Sequence, residues 1–116
     1  MEERIIPAYV TDNDTGVKYE LDFSRESIRF AENRGFELEN VGKFPVTGIS
    51  DLFYYSFRMH HRGVARDKTD KLMEKWGGIP ERLLERLIQL YQQAQTANNV
   101  QTNEDEAKNK AVTLEL

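Results

Sequence analysis

A block of residues near the middle of the chain, 47–62, constrains the fold more than any other stretch. It has the sequence TGISDLFYYSFRMHHR and holds four aromatic side chains within five positions. Asp51 near its start and the arginines at 58 and 62 near its end match the polarity of a helix dipole. Its apolar residues recur at three-four spacing and form two stripes. The pattern therefore predicts a helix over residues 47–62 that is buried on several sides.

Two strands are predicted before this block, over residues 4–11 and 17–23. The second is the clearer one, because every apolar residue in it alternates with a charged residue. Pro7 restricts the first strand to an edge, since proline cannot donate to a ladder. The connecting DNDTG is typical of a tight hairpin turn. It does not fit a calcium loop, whose twelfth position would be a Glu but is here Phe23.

Three further helices are predicted around the central one. Ser24 is the expected N-cap of a helix over 25–34, without a reciprocal cap because Ser27 replaces the usual Glu or Gln. Residues 36–46 are predicted to be a connection, with an extended approach to the central helix at Pro45. The other two predicted helices are 68–76, capped by Asp67, and the leucine-rich 80–98.

These elements together predict an α+β fold, with an N-terminal β-hairpin packed on a small bundle of about four helices. A chain of 116 residues that is 39% hydrophobic and 31% charged suits one small core. We predict a single domain over residues 1–98. Residues 99–116 lose the helical period and become polar, so we expect a flexible, disordered tail there.

No residue pattern indicates a catalytic, cofactor or metal site, and we do not expect an enzyme. The chain has no cysteine, which excludes disulfides, thiolate catalysis and thiolate zinc sites. His60 and His61 are adjacent, so on a helix they point about 100° apart and cannot share a metal in the usual way. We predict a capping or packing role for both. The serines lack a nucleophile elbow, and the glycines lack a phosphate-binding pattern.

Partner binding is the remaining prediction, and five residues are its candidates. Tyr54 and Tyr55 point in different directions, so at least one of them should lie on the surface, beside Arg58 or Arg62. Phe53, Phe57 and Trp76 are expected in the core. The last helix has more leucine than a small core needs, which makes Leu84, Ile88 and Leu90 candidates for docking or self-association. The partner-binding set is Tyr54, Tyr55, Arg58, Arg62 and Leu90.

The order of these signals resembles the tail assembly chaperones of long-tailed bacteriophages and prophages of Gram-positive bacteria. The resemblance covers about residues 5–95. It rests on a hairpin ending in YELDF, the helix SRESIRFAENRGF with its acid before the closing glycine, and the aromatic block ISDLFYYSFRMHHRG. A polar helix and a leucine-rich helix follow in the same order.

The resemblance implies a non-enzymatic protein that binds the tape measure protein and keeps it soluble during assembly of the tail tube. It also implies self-association, a possible contact with the tail tube protein, and absence from the mature virion. No signal peptide or membrane span is evident, so we expect the bacterial cytoplasm.

Two alternatives remain open at this point. The first is a small DNA-binding regulator that uses the basic span 58–75, although the pI near 5.2 is low for such a protein. The second is a structural head-to-tail connector of a phage particle. A connector would stay in purified particles, whereas a chaperone would be missing from them.

Overall fold

The structure is a computed structural model that describes residues 4–98 and Glu115. It has the predicted α+β fold, with an antiparallel hairpin followed by five helices. The tail predicted over 99–116 lies outside the described residues, apart from Glu115. No helix in the described part of the chain is both long enough and apolar enough to cross a membrane.

The hairpin consists of β1, Ala8–Asp12, and β2, Val17–Leu21. Ala8 lies opposite Leu21, and Asp12 lies opposite Val17. The backbone carbonyl of Asp12 accepts the N–H of Gly16 at 2.7 Å, and Gly16 has a φ of 77°, which glycine adopts without strain. The predicted tight turn is therefore confirmed.

Both strands are shorter than predicted. The first begins at Ala8 and the second ends at Leu21, and the backbone of Ile5 and Ile6 bonds to helix side chains instead of to β2. The side chain of Gln93 accepts the backbone N–H of Ile5 at 2.6 Å and donates to its carbonyl at 3.3 Å. Arg86 donates to the carbonyl of Ile6 at 3.1 Å. These side chains satisfy backbone groups that a β ladder would otherwise pair.

The helices are α1 (Arg25–Glu32), α2 (Asn40–Lys43), α3 (Pro45–Tyr55), α4 (Arg66–Trp76) and α5 (Glu81–Asn98). Ser24 caps α1 as predicted, since its hydroxyl accepts the N–H of Ser27. The prediction that no reciprocal cap forms is wrong. The Ser27 hydroxyl accepts the N–H of Ser24 at 2.8 Å, and a serine thus completes the capping box.

The central helix was predicted over residues 47–62, but α3 ends at Tyr55 and turns follow it. The carbonyl of Ser56 accepts the N–H of Asp22, at the end of the hairpin, at 3.1 Å. A continuing helix would use that carbonyl for the N–H four residues on. The Ser56 hydroxyl also donates to the carbonyl of Phe53 at 2.6 Å. Pairing with the hairpin thus competes with helix continuation.

Two other helix starts differ from the predictions. Pro45 occupies the first turn of α3 instead of an extended approach, and the connection before it contains the one-turn helix α2. Helix α4 begins at Arg66 after Ala65, so Asp67 lies in its first turn and is not the cap. A carboxylate in that turn still suits the positive end of the helix dipole.

The core joins the inner face of the hairpin to one face each of α1, α3 and α5. Aromatic rings meet edge to face, as in Phe53 with Phe57 at 5.1 Å and Phe23 with Tyr91 at 5.0 Å between centroids. Phe53 and Phe57 are buried as predicted, but Trp76 is 41% exposed. Burial raises the pKa of Tyr91 to about 12.

Candidate partner-binding surface

Two arginines lie against one aromatic ring at the surface where α1 meets the turn after α3. The guanidinium carbon of Arg58 is 3.8 Å from the centre of the Phe30 ring, and that of Arg34 is 3.6 Å away. Arg34 also donates to the carbonyl of Phe30 at 3.4 Å. Each cation-π contact contributes on the order of 0.5–1 kcal/mol at a partly exposed site. The two arginines are thereby held at defined positions.

Glu26 on α1 lies near two arginines of the turn that follows α3. Its carboxylate oxygens are 3.4 Å from Arg58 and 3.6 Å from Arg62. The Arg62 side chain is 63% exposed, so this pairing is open to solvent and contributes little to stability. Arg58 Nε is buried without a hydrogen-bond partner among the described residues. Arg58 thus has donor capacity that these residues do not satisfy.

Tyr54 extends the same surface towards α4. Its ring is half-buried, and the guanidinium carbon of Arg66 lies 4.4 Å from the ring centre. Arg66 is held by a hydrogen-bonded ion pair of 2.6 Å to Asp51. The arginine–aromatic surface, as we name it, consists of Phe30, Arg34, Tyr54, Arg58, Arg62 and Arg66.

The structure places only three of the five predicted partner-binding residues on this surface. Tyr54, Arg58 and Arg62 lie together there. Tyr55 and Leu90 are buried in the core, at 4% and 0% exposure, so they are not available to a partner in this conformation. Burial also raises the pKa of the Tyr55 phenol, with a further contribution from the charge of Asp51. The prediction failed for Tyr55 and Leu90 because their helices, α3 and α5, are apolar over a wide arc. The helical period alone does not show which part of that arc faces the core.

Sequence reasoning missed Phe30 and Arg34 as parts of the surface. Their spacing of four residues on a helix was the available signal, because side chains four apart lie on the same face. It also missed an exposed apolar pair at the junction of α2 and α3. There Phe44 is 62% exposed and Val46 is 89% exposed.

Every arginine and lysine of the predicted basic span 58–75 has a carboxylate partner. Arg58 and Arg62 pair with Glu26, and Arg66 pairs with Asp51. The lysines at 68, 71 and 75 pair with Asp12, Asp67 and, for Lys75, also Asp14. The net excess of positive charge in this span is therefore largely compensated locally.

The two histidines have different roles. His61 Nε2 accepts the backbone N–H of Glu20 at 2.9 Å, and its ring packs on Tyr19 with 5.2 Å between centroids. The predicted packing role of His61 is therefore confirmed. His60 Nε2 lies 3.1 Å from a carboxylate oxygen of Glu20. Ligand atoms of Glu20, Asp22 and His60 all lie within 4.8 Å of one another. These three could hold a metal ion.

The hairpin, the five helices and this surface define a small α+β protein that carries a group of arginines on aromatic rings at its surface. The chain belongs to the DUF5055 family, described as a domain of unknown function, whose family model matches residues 3–116. No curated protein and no solved structure matches the chain.

Proposed function

We propose that this DUF5055 protein is a tail assembly chaperone of a long-tailed phage or prophage of Gram-positive bacteria. In this proposal it is not an enzyme. It binds the tape measure protein in the host cytoplasm, keeps it soluble while the tail tube is assembled, and does not remain in the mature virion. The order of the elements, which resembles that of tail assembly chaperones, supports the proposal. One structural observation carries it.

That observation is the arginine–aromatic surface. Arginine and tyrosine are over-represented among the residues that dominate binding energy at protein interfaces. Here Arg58 lies on Phe30 and Arg66 lies on Tyr54, so each cation is already held in place before a partner arrives. A pre-positioned side chain loses less conformational freedom on binding. Such a surface suits an amphipathic helix, whose acids pair with the guanidinium groups while its apolar side chains contact the rings.

The exposed pair Phe44 and Val46 supports the same proposal. Two large apolar side chains at high exposure, separated in sequence only by Pro45, are typical of a surface that binds apolar groups. A helical chain that aggregates when free needs its apolar side chains covered, and these two residues add apolar area for that purpose.

The paired charges favour this proposal over the DNA-binding alternative. The arginines and lysines of the span 58–75 already have carboxylate partners, as described above. A phosphate backbone would have to compete with seven such pairs and approach the acids that form them. A protein partner can instead add contacts to rings and guanidinium groups without displacing every acid.

Co-expression with the tape measure protein of the same phage tests the proposal. We expect the tape measure protein to be largely soluble with the wild-type chain and largely insoluble alone. The double variant Tyr54→Ala with Arg58→Ala should lose most of this effect, while Lys71→Ala, on the exposed face of α4, should retain it. The proposal fails if the wild-type chain leaves the tape measure protein insoluble.

A further inference from the structure

We propose that Glu20, Asp22 and His60 bind a divalent transition-metal ion of the zinc type. The site lies where the end of β2 meets the turn after α3. The proposal is independent of tape measure binding.

The burial of Asp22 distinguishes this cluster from ordinary exposed acids. Asp12 and Asp22 are the two buried carboxylates among the described residues, with 2% and 4% of their surface exposed. Asp12 is paired with Lys68 and Lys75. Asp22 has no lysine or arginine partner within the described part of the chain.

The hydrogen bonds of Asp22 leave one of its oxygens free. Oδ1 accepts the N–H of Phe23 at 2.8 Å, and Oδ2 has no hydrogen-bond partner among residues 4–98. The Asp22 side chain has no compensating cation among the described residues, and its unbonded oxygen is not fully buried, so an ion can reach it. Its nearest ionisable neighbours in the cluster are another carboxylate, Glu20, and the imidazole of His60. A divalent cation would supply the missing positive charge.

The distances suit a metal after small side-chain adjustments. Imidazole nitrogen and carboxylate oxygen bind zinc at about 2.0–2.2 Å, which places ligand atoms roughly 3.4 Å apart around a tetrahedral ion. His60 Nε2 and Glu20 Oε2 are 3.1 Å apart, and all three ligand atoms lie within 4.8 Å of each other. Three protein ligands leave a fourth position for water.

The backbone already holds the ligands near one another. The N–H of Asp22 donates to the carbonyl of Ser56, and the N–H of Glu20 donates to His61, the neighbour of His60. Both bonds join the hairpin to the turn that carries His60. A metal at this position would therefore bind to groups that are already in place and would strengthen the same junction. The imidazole ligand favours zinc over magnesium or calcium.

Calorimetric titration of the untagged full chain with ZnCl₂ tests the site. We expect one zinc ion per chain, little heat from MgCl₂, and a melting temperature that rises by several degrees in zinc and returns to its starting value with EDTA. Glu20→Gln and His60→Ala should each weaken zinc binding at least tenfold. Both residues are partly exposed, so these variants should fold even if Asp22→Asn does not.

Asp67→Asn is the matched control, because it removes an exposed carboxylate outside the cluster. It should bind zinc like the wild type. The proposal is overturned if the wild-type chain binds no zinc at micromolar to millimolar concentrations. It is also overturned if Glu20→Gln and His60→Ala both bind zinc as tightly as the wild type, since the ion would then be held elsewhere.

Discussion

The guanidinium group of Arg58 lies over the ring of Phe30, with 3.8 Å between the guanidinium carbon and the ring centre. The contact joins the turn after α3 to helix α1. Glu26, one turn before Phe30 on α1, lies 3.4 Å from the same guanidinium. Arg58 is thus in contact with a ring and a carboxylate of one helix, on the proposed partner surface.

Replacing Arg58 should weaken binding of the tape measure protein. A central arginine of this kind contributes about 2 kcal/mol or more at an interface, so Arg58→Ala should raise the Kd about thirtyfold. Arg58→Lys should recover only part of the loss, because an ammonium group lacks the planar fork of the guanidinium. Surface plasmon resonance with a tape measure fragment measures both, with Lys71→Ala as the control. Equal affinity for Arg58→Ala and wild type would exclude Arg58 from the interface.

Gly48 should be intolerant of a side chain. A Cβ at this position would lie 2.3 Å from the backbone oxygen of Asn40 in α2, which is far inside van der Waals contact. Gly48→Ala should therefore destabilise the fold by about 1–3 kcal/mol, despite the better helix propensity of alanine. Urea denaturation measures the change.

Gly42→Ala is the matched control for that substitution. Gly42 lies in α2, and a Cβ there would meet nothing within 4 Å. Alanine should leave stability unchanged or raise it by up to about 1 kcal/mol. If Gly48→Ala were as stable as Gly42→Ala, the close packing of α2 on α3 would be wrong.

Leu90 should act as a core residue and not as a contact for a partner. It is fully buried on α5, so Leu90→Ala should cost about 2–5 kcal/mol and lower the Tm by roughly 10 °C or more. Val46→Ala, at a position that is 89% exposed, should change stability by less than about 0.5 kcal/mol. Thermal unfolding followed by circular dichroism compares them. A small effect of Leu90→Ala would mean that Leu90 lies on the surface.

Asp12 should make the stability depend on pH in the acid range. Hydrogen bonds from Lys68 and the backbone of Asp14 lower the pKa of Asp12 in the folded chain. A lowered folded-state pKa gives stability that is present above the ordinary value near 3.9 and is lost as the pH falls below it. Asp12→Asn removes this contribution at all pH values.

The wild type should therefore exceed Asp12→Asn in urea midpoint most clearly near neutral pH, and the difference should shrink below about pH 4. Asp67→Asn removes an exposed carboxylate that pairs with Lys71 and faces the N-terminal end of the α4 dipole, so it should differ from the wild type by less than about 1 kcal/mol. A difference between wild type and Asp12→Asn that stays constant from neutral pH to about pH 2 would contradict this account.

Local patterns predicted the elements that depend on neighbours in sequence. The alternation in β2, the glycine of the hairpin turn, the Ser24 cap and the extent of α5 all follow from such patterns. The end of α3 could not be predicted in this way. It depends on the bond between the carbonyl of Ser56 and the N–H of Asp22, which comes from a distant part of the chain.

The residues of the candidate surface also divide into those that local sequence predicted and those that only the fold brings together. Tyr54, Arg58 and Arg62 were predicted from one short stretch of sequence and lie together in the structure. Phe30 belongs beside them only because α1 packs near the end of α3, a tertiary contact that spacing does not reveal. The cluster around Asp22 also needs the fold, since His60 comes from a turn where a helix was predicted.

The most direct test of the central claim is affinity purification of this protein from phage-producing cells, with the bound material identified by mass spectrometry and assayed for nucleic acid. We predict recovery of the tape measure protein with the wild-type chain, and its loss with Tyr54→Ala combined with Arg58→Ala. Recovery of DNA, or of head and connector proteins without the tape measure protein, would contradict the chaperone function.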